Sequence, residues 1–185
     1  MTPGRETRGA VLARWRVRMS YPVALACLLP AHPTPASLVT GAAVAGMGLV
    51  VRGAAAGHVR KGQQLATSGP YGFTRNPLYF GSMLVAAGFL IAAHSWIATA
   101  GVAAYFAVFY PPVMRGEEQE LRGAYGAEFE DYAARVPGFW PRWTRGVPRG
   151  QPFSWAVYRQ NREYEAVLGY LLGIALLSLV MHWRR

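Results

Sequence analysis

Two short stretches hold the polar residues whose types and spacing could do chemistry. The first is Gly69-Pro70-Tyr71-Gly72-Phe73-Thr74-Arg75-Asn76-Pro77-Leu78-Tyr79-Phe80-Gly81. In it, Arg75 and Asn76 are the last polar pair before a long run without charge. A guanidinium is a planar fork able to grip a carboxylate bidentately. Pro77 suits the first turn of a helix, where a missing N–H costs nothing, and Asn76 precedes it as a candidate cap. Tyr79 and Gly81 then fall inside that helix, and Gly81 leaves room for something to lie against the backbone. The second stretch is Glu117-Glu118, followed by Leu121, Tyr125-Gly126, Phe129, Tyr132 and Val136-Pro137. Its carboxylates can neutralise cationic groups. Glu117 shares a stripe with Leu121 and Tyr125, four and eight residues on, so it is expected to face the interior of a bundle. Glu118 has Arg122 four residues later, a favourable surface pair.

The elements that must position these residues are apolar. The chain has 185 residues, of which 52% are hydrophobic and 15% charged, well below the roughly 25% charged share of soluble domains. The apolar residues cluster in runs, which points to a polytopic membrane protein with one domain over residues 1–185. The net charge of +10 belongs to loops between the runs and comes with no groove-reading motif, so nucleic acid is not expected as a partner. Cys27 is the only cysteine, which excludes an internal disulfide and a cysteine-cluster metal site. His58 and His94 have no partner at ligand spacing, so no metal site is expected.

Five spans are predicted. Residues 1–13 read as disordered, and 15–31 as a short, proline-marked first span. The second covers about 36–57 and carries Gly41, Ala45, Gly46, Gly48 and Gly53, small residues that let membrane helices approach closely. The third covers 77–93 and the fourth 96–113, where Pro111-Pro112 should kink or interrupt it. Residues 115–135 are polar and helix-prone, and 136–153 read as irregular. The last span covers 162–183, or lies partly in the interface. The turns at 32–35 and 94–95 contain no Lys or Arg, whereas the N-terminus and residues 58–76 and 115–162 hold nearly all of them. Those basic segments are expected on the cytoplasmic side. Glu117 then turns inward at a membrane boundary, a position that marks functional acids.

The ordered pair of stretches, across roughly residues 67–141, resembles the integral-membrane methyltransferases: the isoprenylcysteine carboxyl methyltransferases and the phospholipid N-methyltransferases. The carrying pattern is Gly-Pro-Tyr…Arg-Asn-Pro-Leu-Tyr-Phe-Gly, then Glu-Glu-x-x-Leu-x-x-x-Tyr-Gly-x-x-Phe-x-x-Tyr-x-x-x-Val-Pro. The prenylcysteine branch usually has His where this chain has Asn76. The phospholipid branch is closer over residues 76–82.

That resemblance implies an all-α membrane bundle with a cytoplasmic site for S-adenosylmethionine, released as S-adenosylhomocysteine. It implies Arg75 and Asn76 as catalytic residues, and Tyr71, Arg75, Asn76, Pro77, Tyr79, Gly81, Glu117 and Glu118 as cofactor-binding residues. Methyl transfer from a sulfonium needs position and electrostatics above all. Glu117 or Glu118 can neutralise the donor's cationic parts, Arg75 can hold a carboxylate, and Tyr79 can line the adenine or sulfonium pocket. The acceptor is expected to be a lipophilic small molecule or lipidated substrate arriving through the bilayer. A carboxylate of the isoprenylcysteine type needs no general base and is slightly favoured; phospholipid N-methylation is the alternative suggested by Asn76. A non-catalytic membrane scaffold or sensor is the rival from another class, and a transporter would need ionisable residues inside the spans and repeat symmetry.

Overall fold

The computed structural model describes residues 18, 19, 22, 23, 25–60, 62–144 and 151–184. Among them every regular element is helical: α1 (Pro35–Ala56), a 3-10 turn (Gly69–Gly72), α2 (Pro77–Ala93), α3 (Trp96–Tyr125), α4 (Ala127–Arg135), α5 (Trp155–Gln160) and α6 (Tyr164–Trp183). α1, α3 and α6 are long and apolar enough to cross a bilayer, and α2 is a shorter apolar helix of 17 residues. The described residues form an all-α bundle in which several apolar helices are suited to a membrane. The expected disordered start at 1–13 lies outside the described residues, as do 15–17, 20, 21 and 24 of the expected span at 15–31, of which residues 18, 19, 22, 23 and 25–28 are helical.

The starts and stops of the helices have local causes. Thr34 Oγ1 accepts from the Ser37 N–H at 3.1 Å, Ser37 Oγ accepts from the Thr34 N–H at 2.9 Å, and Pro35 opens α1. α2 closes on His94 in the left-handed region (φ 49°), and the Ser95 hydroxyl then caps α3. The expected interruption at Pro111-Pro112 does not occur, because α3 continues through both prolines to Tyr125. Each proline removes only its own N–H, and the neighbouring hydrogen bonds carry the helix on. The break comes at Gly126, whose φ of 51° and ψ of −121° turn the chain into α4.

α1 and α2 pack antiparallel at backbone distance. A Cβ on Gly48 would lie 2.7 Å from the Gly81 carbonyl oxygen, and one on Gly81 would lie 2.8 Å from the Gly48 carbonyl. Only glycine at both positions permits this approach. α6 stands beside α1, with the Tyr170 hydroxyl donating to the Ala42 carbonyl at 3.2 Å. It begins where Glu163 binds Arg52 near the end of α1. It finishes where Arg184 Nη2 donates to the Leu29 carbonyl at 2.6 Å, just before α1 starts. α6 therefore matches the height of α1.

Two apolar clusters sit at opposite ends: Ala31, Ala92, Ala93 and Leu177 at one, Leu65, Phe129, Tyr132 and Val136 at the other. Leu168, Leu171, Leu172 and Leu179 on α6 point outward, as a helix solvated by lipid requires.

Candidate functional site

The second apolar cluster is the platform on which the two motif stretches meet. The Arg75 N–H donates to the Pro137 carbonyl at 2.9 Å, and the Arg142 N–H donates to the Phe73 carbonyl at 2.9 Å. The buried Thr74 hydroxyl bonds the Phe139 carbonyl at 2.9 Å. The Tyr132 hydroxyl donates to the Tyr71 carbonyl at 2.7 Å. Residues 71–75 are thus laced to α4 and to the irregular segment after it.

The lacing aims the side chains. Arg75 Nε lies 3.2 Å from Glu118 Oε1, out of line for a hydrogen bond, while Nη2 donates to Oε2 at 3.4 Å and Nη1 donates to the Ala133 carbonyl at 3.2 Å. Asn76 is the N-cap of α2 by position, but its side chain makes no cap bond. Its Nδ2 instead donates to Glu118 Oε1 at 3.3 Å and to the Gly138 carbonyl at 2.8 Å. The Tyr79 hydroxyl donates to Glu117 Oε1 at 2.5 Å. The expected Glu118–Arg122 surface pair is absent: Arg122 pairs with Glu130 at 2.5 Å, because the turn at Gly126 folds α4 back beside the end of α3.

These groups border one cavity of about 820 Å³. Of the residues expected at the site, Tyr71, Arg75, Asn76, Pro77, Tyr79, Glu117 and Glu118 line it. Gly81 does not. Its close neighbours are Arg52 and the Gly48 carbonyl, so the backbone that lies against this glycine is that of α1. Glu117 faces the cavity and the buried Tyr79, although its residue remains exposed, and Glu118 is half-buried by its two partners. Burial raises the phenol pKa of Tyr71, with Tyr132 and Glu117 adding to the effect. Burial also raises that of Tyr132 against the opposing pull of Arg75. Both phenols therefore stay protonated, and that of Tyr132 keeps its proton for the Tyr71 carbonyl.

Further polar residues on the cavity wall come from elsewhere in the chain, among them Arg52, Asn161 and Glu163. Arg52 grips Glu163 through Nε to Oε1 at 2.6 Å and Nη2 to Oε2 at 3.0 Å, and it also bonds the Ser82 hydroxyl. Asn161 Nδ2 donates to the carbonyls of Ala56 and Val59, at 2.8 and 3.0 Å. Arg162, between them, has a positive φ of 55°, a costly conformation for a residue with a Cβ. Arg52 could have been found in the sequence, since an arginine inside an apolar run demands a partner. Glu163 and Asn161 had no such signal. Arg60 also lines the cavity, and its Nη1 is buried without a hydrogen-bond partner among the described residues. No group of three or more His, Cys, Asp or Glu able to hold a metal ion occurs among them.

The chain is 40% identical over 99 residues to the cobalt-zinc-cadmium resistance protein CzcN of Cupriavidus metallidurans, covering 54% of this chain and 44% of the relative. It is 40% identical over 83 residues to the nickel-cobalt-cadmium resistance protein NccN of Alcaligenes xylosoxydans xylosoxydans, covering 45% of this chain and 38% of that one. The matches thus span less than half the length of these curated relatives. No solved structure matches. Residues 36–128, half of the chain, match the family described as phospholipid methyltransferase. That stretch contains nearly all of α1, α2 and α3 and all seven of the expected site residues that line the cavity, and the chain belongs to the phospholipid methyltransferase family.

Proposed function

We propose that the chain transfers a methyl group from S-adenosylmethionine to a lipid-like acceptor, at the end of the bundle where α1 finishes and α2 begins. The observation that carries this reading is the convergence of the two motif stretches. Arg75 and Asn76 from the loop and Glu117 and Glu118 from α3 border one cavity, whose volume falls in the range of about 300–1,000 Å³ found for small-molecule sites.

The donor set suits the cofactor. Glu117 offers a carboxylate to a cationic group, and Tyr79 and Tyr110, ring centroids 5.5 Å apart, offer aromatic surface. Arg60 carries a buried donor without a partner, which suits an anionic group. When bound, S-adenosylmethionine supplies a methyl carbon already activated by a positive sulfur. The protein's part is then to fix charges in place before the reaction. Arg75 and Asn76 hold Glu118 between them, and Tyr79 holds one oxygen of Glu117, leaving the other to face a ligand.

The family match and the position of Glu117 favour an amine headgroup as acceptor over the prenylcysteine carboxylate. An amine must shed a proton to become nucleophilic, and Glu117 sits on the cavity wall as a base. The basic loops at this end support a site on the cytoplasmic face.

The test is incubation of purified protein with methyl-labelled S-adenosylmethionine and, in separate arms, phosphatidylethanolamine or whole membrane extract. Label in the lipid headgroup is the expected result. Label released by mild base as a methyl ester would return the carboxylate acceptor. Cofactor binding with no labelled product from whole membrane extract would favour a non-catalytic role.

A further inference from the structure

Three arginines line the cavity, and two of them are committed. Arg75 is taken up by Glu118 and the Ala133 carbonyl, and Arg52 by Glu163 and Ser82. Arg60 differs. Its Nη1 is shielded from solvent and finds no acceptor among the described residues. A guanidinium nitrogen in that state has lost its water without replacing it, which is costly unless something else accepts the hydrogen bond.

The Gln63 N–H donates to the Arg60 carbonyl at 3.2 Å, and Gly62 takes the φ of 73° that this tight turn needs. The nearby carbonyls of Ala56 and Val59 are already engaged by Asn161. Glu117, Glu118 and Glu120 of α3 line the same cavity. Its wall therefore carries carboxylates from α3 and an uncommitted guanidinium from the loop.

We propose that Arg60 is the anion-binding residue of this cavity and takes a carboxylate or phosphate group of a ligand. The group comes either from the amino-acid carboxylate of the methyl donor or from the phosphate of a phospholipid acceptor. The inference rests on the methyltransferase reading above and assigns to Arg60 the role that the sequence suggested for Arg75.

The experiment is calorimetry in maltoside micelles and phosphate-free buffer, on wild type, Arg60→Gln and Arg60→Lys. The probes come in two pairs. S-adenosylhomocysteine is set against methylthioadenosine, which lacks the carboxylate. Dihexanoylphosphatidylethanolamine is set against dihexanoylglycerol, which lacks the phosphate. Arg60→Gln should lose about tenfold or more in affinity for one anionic probe and leave its partner unchanged, as expected for a lost charge-assisted contact. Loss confined to the nucleoside pair identifies the donor carboxylate; loss confined to the lipid pair identifies the headgroup phosphate. Unchanged affinity for both anionic probes, or equal losses for each probe and its partner, overturns the proposal. Should Arg60→Gln fail to fold, Arg60→Lys must show the same selective loss, smaller in size. Wild type that binds neither nucleoside would remove the methyltransferase reading itself, a result distinct from an unaffected Arg60 variant.

Discussion

Arg75 and Glu118, 43 positions apart in the chain, face each other across the cavity wall with Nε 3.2 Å from Oε1 and Nη2 3.4 Å from Oε2. Asn76 shares the same carboxylate. The pair ties the loop that precedes α2 to the polar end of α3, so its first effect is on the shape of the site. Glu117, one position earlier, leans on Tyr79 instead. Adjacent residues on one helix point about 100° apart, and here that difference separates a structural carboxylate from one free to meet a ligand.

The two glutamates should therefore fail in different ways. Glu118→Gln is expected to destabilise the protein by roughly 1.5–3 kcal/mol, the worth of a hydrogen bond to a charged group, because Arg75 loses its counter-charge. Glu117→Gln is expected to leave the melting temperature unchanged and to weaken S-adenosylhomocysteine binding about tenfold, or roughly 1.4 kcal/mol. Thermal melting and calorimetry in detergent decide between them. Loss of affinity at Glu118 alone, without loss of stability, would mean that the roles are reversed.

Arg75→Lys tests the fork directly. The guanidinium spans Glu118 and the Ala133 carbonyl at once, which a single ammonium cannot do. Methyl transfer is expected to fall at least tenfold, about 1.4 kcal/mol of transition-state stabilisation, with insertion into membranes intact. Wild-type turnover in this variant would reduce Arg75 to a charge that anchors the loop at the lipid surface.

The apolar runs were legible because lipid demands that they be unbroken, and α1, α2 and α6 follow them closely, while α3 starts where expected at Trp96 and runs on past 113 to Tyr125. Helix continuity at Pro111-Pro112 was not legible, since a proline pair weakens a helix without saying whether the flanking bonds suffice. The motif residues were legible as a set, and seven of the eight named line the cavity. Their partners were not. Glu118 has Arg122 at the favourable helical spacing, yet Arg122 turns to Glu130 because Gly126 reverses the chain. Arg52 and Glu163 lie 111 positions apart, a separation that no local pattern reports.

Gly81 shows how one residue can be read correctly in kind and wrongly in partner. Space beside its backbone is needed, but α1 occupies it. Gly81→Ala would drive a methyl against the Gly48 carbonyl, and the α1–α2 pair would have to part. It is expected to lower the melting temperature sharply, in line with the roughly 1–3 kcal/mol that overpacking costs, while the folded fraction keeps its affinity for S-adenosylhomocysteine. An affinity loss at unchanged stability would place the cofactor, rather than the helix, against this glycine.

The Arg52–Glu163 pair joins α6, which lies beyond the stretch that matches the family, residues 36–128, to the cavity wall. Glu163 is only 7% exposed and Arg52 24%, so each charge relies on the other. Removing one leaves the second buried and uncompensated, which typically costs about 3–5 kcal/mol, whereas replacing both by apolar residues of similar volume is often neutral. Glu163→Leu should therefore be severely destabilised, and Arg52→Met with Glu163→Leu should recover most of the loss in thermal melting. If the pair serves stability alone, the double variant should also recover methyl transfer. If it shapes the cavity, the double variant should melt like wild type while its KM for the lipid acceptor rises, because the polar wall between α1, α2 and α6 is gone. Failure of the double variant to regain stability would show that Ser82, which Arg52 also bonds, makes the arginine indispensable on its own account.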